Sequence, residues 1–123
     1  MTPQHMVEHL ILSFQMSNGK LKLKCITHPD KLPSLKRFLL SERPLPKEYI
    51  NPYIGPNLLP LKCPGIEDAV ENLGEEINHH IDFFKLNQNV KTVHVNFGEL
   101  NKHEWDQFHS KHFTHHLAQF NLI

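Results

Sequence analysis

The chain has 123 residues, enough for one domain and one core. With 39% hydrophobic and 21% charged residues, it reads as a globular protein rather than a disordered or fibrous one. Thirteen Lys+Arg balance thirteen Asp+Glu, and this zero net charge argues against nucleic-acid binding; apolar runs of three or four residues fall far short of the roughly 20 that span a membrane.

The beginning of the chain has no basic segment leading into an apolar stretch, so no secretory leader is expected and a cytoplasmic location is the default. Thr2 can cap a helix, Pro3 suits its first turn and Asn18-Gly19 stops it. Between them Met6, Val7, Leu10, Ile11 and Phe14 recur at helical spacing, which predicts a helix over 3–17. Lys20 to Ile26 alternates strictly and predicts a short extended segment with one wet face; Cys25 within it and Cys63 belong to no CxxC pair and are expected to be reduced, packed thiols.

After a turn at His28-Pro29-Asp30, residues Leu32, Leu35, Phe38 and Leu39 mark a short helix over 32–40. Six prolines between 41 and 65 forbid a regular helix, and Tyr49, Ile50, Tyr53, Ile54, Leu58, Leu59 and Leu61 predict a loop that packs on the body. Ile66, Val70, Leu73, Ile77, Ile81 and Phe84 predict the buried stripe of a long helix over 66–87, with Glu67-Asp68 at its positive end. Residues 92–97 alternate until Gly98, and Asn101 with Glu104 forms a capping box that opens a last helix over 102–120. The expected fold class is all-α, a single helical domain over 1–123 with short extended links.

Histidine sets this composition apart: eleven of 123 residues, about 9%. On the last helix, His112 and His116 fall on the side of Trp105, Phe108, Phe113, Leu117 and Phe120, one turn apart. Side chains at i and i+4 share a face with Cβ atoms about 6 Å apart, so the two imidazoles can hold one metal ion. The bland alternative is a pair of buried histidines satisfied by backbone or water. A third ligand should come from another helix; His9 leads, with His5 as a substitute one turn earlier, and His80 could reach the interior. His79 and His115 are expected to be solvated, His28 to serve a turn, and His103 and His109 are ambiguous. His94 and His5 are the acid–base candidates, since imidazole titrates near neutrality. Helix-borne histidines suit zinc, nickel, copper or iron. The chain lacks H-E-x-x-H, G-x-S-x-G, Walker-A and dinucleotide motifs.

Three stretches, Thr-Pro-Gln-His-Met-Val-Glu-His-Leu at 2–10, Phe-Gly-Glu-Leu-Asn at 97–101 with Glu104-Trp105, and Lys-His-Phe-Thr-His-His-Leu-Ala-Gln-Phe at 111–120, resemble the DinB/YfiT-like superfamily of metal-dependent enzymes, in a bacterial branch of domains of unknown function. The resemblance implies a four-helix bundle, usually dimeric. It also implies a divalent metal, commonly zinc or nickel, held by His9, His112 and His116, with Gln119 matching a glutamine that often follows the second late histidine. Relatives transfer thiol cofactors or isomerise a small acid, so a small-molecule substrate is expected at the metal. Such bundles generally have one further helix before the one bearing the first histidine. This chain starts at that helix, so an apolar groove covered by a second copy is expected, giving a homodimer. The competing expectation is a non-catalytic bundle that associates with partners and binds metal opportunistically.

Overall fold

The computed structural model describes residues 2–46 and 59–123. Among them, four helices and one two-stranded hairpin carry the regular structure. The expected packing of Tyr49, Ile50, Tyr53, Ile54 and Leu58 lies outside the described residues.

Helix α1 spans Pro3–Ser17. Thr2 Oγ1 accepts the backbone N–H of His5 at 3.1 Å, and the His5 ring takes the Thr2 backbone N–H at 3.3 Å, so two free donors are satisfied at once. At the other end the Asn18 N–H bonds to the Phe14 carbonyl, and Gly19 turns the chain with φ 82°. In 20–26, Leu21, Leu23 and Cys25 face inward while the lysines face out, as the alternation predicts. No strand forms there; the Ile26 N–H bonds to the Val95 carbonyl at 2.9 Å without a continuing ladder. Cys25 and Cys63 are free, half-buried thiols.

A 3-10 turn, Pro29–Lys31, leads into α2, Leu32–Leu40, which buries Leu39. Lys111 donates to the Ser41 and Arg43 carbonyls and lies over the Phe38 ring, tying the end of α2 to the last helix.

Helix α3 spans Ile66–Leu86, but its buried face is rotated from the expected stripe. Ala69, Leu73, Glu76, His80 and Phe84 point inward, whereas Ile66, Val70 and Ile81 are 43%, 53% and 40% exposed. The reason is polar pairing: Glu76 and His80 find partners inside, as described below, and draw their side of the helix in.

Strands β1, Thr92–His94, and β2, Gly98–Leu100, pair antiparallel with Thr92 opposite Leu100 and His94 opposite Gly98. The fold is therefore mostly helical with a small sheet, and all-α describes it only approximately. Gly98 begins the return strand instead of ending an extended run. Its φ of 77° suits glycine, and a Cβ there would lie 3.3 Å from Leu32 Cδ1. Helix α4, Lys102–Gln119, opens with the expected capping box: Asn101 Oδ1 takes the Glu104 N–H and Glu104 Oε1 takes the Asn101 N–H, both at 2.9 Å.

Helix α1 packs chiefly on α3 and also touches α4 and β1. Met6, Val7, Leu10 and Phe14 join Ala69 and Leu73 in one core cluster. Met16, Leu39, Phe84, Val95, Phe97, Leu100, Trp105 and Phe108 form the other, under the hairpin. Among the described residues no helix is long and apolar enough to cross a membrane.

Candidate metal centre

The i, i+4 pair on α4 meets α1 at a single point. His9 Nε2 lies 2.8 Å from His112 Nε2, which lies 3.0 Å from His116 Nε2. The three rings stand edge to face, with centroids 4.7, 4.7 and 4.6 Å apart. His112 is fully buried and His116 is 5% exposed, while His9 is half-buried. These three are the metal-capable cluster found among the described residues.

Burial disfavours the imidazolium form at all three. It pushes His9 down to about 3, helped by the neighbouring His116 and His115. Burial, reinforced by His9 and His116, holds His112 well below the usual range, and His116 is lowered as well. The rings are neutral near pH 7, so each has one nitrogen lone pair to offer.

The hydrogen bonding fixes where one of these lone pairs points. His116 Nδ1 donates to Gln119 Oε1 at 2.9 Å, which leaves its Nε2 unprotonated and facing His112. His112 Nε2 can supply one proton or one lone pair. Hydrogen bonding among three neutral rings therefore satisfies one of its two short contacts and leaves the other unmatched. A cation at the centre satisfies both. Tetrahedral Zn–N bonds of about 2.05 Å set donor nitrogens roughly 3.3 Å apart, so the two short contacts need open by only about half an ångström or less. The donor set fits a borderline-soft divalent ion. One feature is incomplete: His112 Nδ1 has no hydrogen-bond partner among the described residues, whereas metal-bound histidines usually donate from the second nitrogen.

The structure does not bring His5 or His94 into this cluster. His5 serves the α1 cap, and its residue lines a cavity of about 320 Å³ beside His9. His94 is fully buried among Phe97, Trp105 and Phe108 and does not line that cavity. Its Nδ1 accepts the N–H groups of Asn96 and Phe97 at 2.9 and 3.4 Å, which holds the hairpin turn, and burial pushes its pKa down to about 3.

A second polar group escaped the sequence reading. Ser17 Oγ sits 2.8 Å from His80 Nδ1 and 3.0 Å from His109 Nε2, and it donates to the Phe14 carbonyl. His80 Nε2 is 3.0 Å from Asp106 Oδ1. The order Asp–His–Ser has the form of a nucleophile relay, but Ser17 is fully buried and no substrate can reach it. The network instead joins α1, α3 and α4, with His109 stacked on Phe14 at 3.8 Å. His79 is exposed as expected, and with Lys20 and Asn18 it surrounds the buried Glu76 carboxylate. Burial raises the pKa of Glu76, but hydrogen bonds from Lys20, His79 and Asn18 outweigh it and hold the carboxyl below its usual range.

No curated protein and no solved structure matches the chain. Residues 66–122, just under half of the chain, take in His112 and His116 but not α1, and they match an uncharacterised domain family described as "Protein of unknown function (DUF1569)".

Proposed function

We propose that the chain is a metal-dependent enzyme of the DinB-like type, with a divalent ion, zinc or nickel, held by His9, His112 and His116. The observation that carries this reading is the convergence of three neutral Nε2 atoms from α1 and α4, one of which has two short nitrogen contacts that hydrogen bonding cannot satisfy together. A metal ion bound there with open positions supplies Lewis acidity toward a water, a thiol or a small acid. The chain's own residues do the rest. Gln119 fixes the His116 tautomer, and the surrounding core keeps the imidazoles unprotonated. Of the two acid–base candidates, His5 is the better placed, because it shares the cavity wall with His9 while His94 braces the hairpin.

The test is elemental analysis of protein purified without an immobilised-metal column. Near-stoichiometric metal in the parent, lost in a His112→Ala/His116→Ala variant, is the expected result. Unchanged metal content in that variant refutes the ligand assignment. The exposed Ile66, Val70 and Ile81 support a homodimer, and they equally support the second reading, a non-catalytic association module. A clean monomer by light scattering at tens of micromolar overturns the dimer, and a metal-free parent favours the module.

A further inference from the structure

Of the three histidines of the centre, His9 alone lines the cavity beside it. His112 and His116 are sealed in, whereas His9 is half-buried and lines the cavity with His5, Glu8 and Cys63. The wall is built. Glu8 takes the backbone N–H groups of Lys62 and Cys63 at 2.7 and 3.2 Å, and Gln4 donates to the Cys63 carbonyl at 2.9 Å, so residues 62–63 are pinned against α1. From His9 to the end of α1 is about 12 Å at 1.5 Å per residue. Ile11, Leu12, Leu59 and Leu61 are apolar residues of the cavity wall. Beyond the end of α1 the wall is formed by Lys20, Glu76 and His79, which are bound to one another.

We infer that this cavity is the substrate channel of the histidine centre, and that its ligand is a small molecule with a metal-binding head and a short, uncharged apolar tail. The inference rests on the metal reading above and deepens it. Size is the first support: about 320 Å³ lies at the lower end of the range for small-molecule sites, room for a compact ligand and not for a peptide. Charge is the second. Glu8, Glu75 and Glu76 outnumber Lys20 and Lys62 in the walls, and the Lys20 ammonium is already taken by Glu76, so a tail ending in a carboxylate is disfavoured. Apolar matching is the third, since Leu12, Leu59 and Leu61 line the cavity with His9.

The experiment is calorimetric titration of the zinc-loaded full chain with acetohydroxamate, butyrohydroxamate and hexanohydroxamate, and with a hydroxamate whose tail ends in a carboxylate. Affinity should rise about three- to fourfold for each added methylene that is buried. The acid-ended compound should bind more weakly than the neutral one of equal length. In a Leu12→Gln/Leu61→Gln variant the chain-length gain should collapse while acetohydroxamate binds as before. If acetohydroxamate binds but added methylenes bring nothing in the parent, or the gain persists in the variant, the channel assignment is wrong and the metal reading stands. If the chain holds neither zinc nor nickel, the metal reading fails and the channel fails with it.

Discussion

Acid should unfold this protein earlier than its modest charge would predict. His9, His94, His109 and His112 are all driven below the usual imidazole range chiefly by burial, the first two to about 3. In the unfolded chain each titrates near 6.5. The folded values are lower, so between these limits the unfolded state binds more protons and stability rises with pH. The contribution is complete above 6.5 and drains away as pH falls toward 3. At pH 5.5 the unfolded imidazoles are about nine-tenths protonated while His9 and His94 in the folded protein are hardly protonated, so these two alone take up close to two protons on unfolding, and His109 and His112 add in the same direction. The two rings give roughly 2.5 kcal/mol lost between pH 7 and 5.5, a large part of the stability of a small domain. The assay is urea denaturation of chelator-treated protein between pH 8 and 5, with the slope of free energy against pH read as a proton count. Glu8, Glu76, Glu104 and Asp106 have lowered values and act in a separate window, below about 4.5. A His94→Asn variant offers Oδ1 to the Asn96 and Phe97 N–H groups and removes one titrating ring, so the slope should drop by one proton, about 1.4 kcal/mol per pH unit. A parent slope under two protons, or an unchanged slope in His94→Asn, refutes the claim that these rings are buried neutral.

Three further outcomes are expected. Gln119→Ala removes the acceptor that orients His116 and should weaken zinc binding about ten- to hundredfold in a chelator competition, with little effect on the fold; unchanged affinity would show that the ring needs no such support. Ser17→Ala deprives His80 and His109 of their common partner and should cost about 1–3 kcal/mol by urea denaturation; a loss within error would mean the network does not bind the three helices together. Gly98→Ala must hold a positive φ and press its methyl toward Leu32, so it should lower stability by more than about 1 kcal/mol, whereas a neutral result would place the turn elsewhere.

Much of the fold was legible because its signals are local. Thr2, Pro3 and Asn18-Gly19 delimit α1 within a few residues, and Asn101 with Glu104 opens α4, because a cap needs partners three residues apart and no more. The convergence of His9 with His112 and His116 is different in kind. Spacing alone pairs the two late histidines, but it leaves the third open among His9, His5 and His80. His9 leads because it lies on the flank of the Met6 and Leu10 stripe, the resemblance points to the same residue, and in the structure α1 brings its Nε2 to 2.8 Å from that of His112.

The misreadings share one cause. Counting apolar periodicity along α3 selects Ile66, Val70, Leu73, Ile77, Ile81 and Phe84, of which Ile66, Val70 and Ile81 are exposed, and it passes over Glu76 and grants His80 only the reach to come inside. Each of those two is buried because its partner stands on another element: Lys20 and Asn18 for Glu76, Ser17 and Asp106 for His80. A polar side chain costs several kcal/mol to bury alone and little when paired, so the inward face of a helix is decided by partners the helix itself does not contain. The same logic separates the alternating segments. Lys20 to Ile26 has one inward face but no paired ladder, whereas Thr92 to His94 can fold back on itself because Gly98 permits the return. The rotation of α3 also leaves Ile66, Val70 and Ile81 in the open and turns Glu76 and His79 toward the cavity beside His9. The pairing that defeats the periodic pattern is thus what shapes the far wall of the proposed channel.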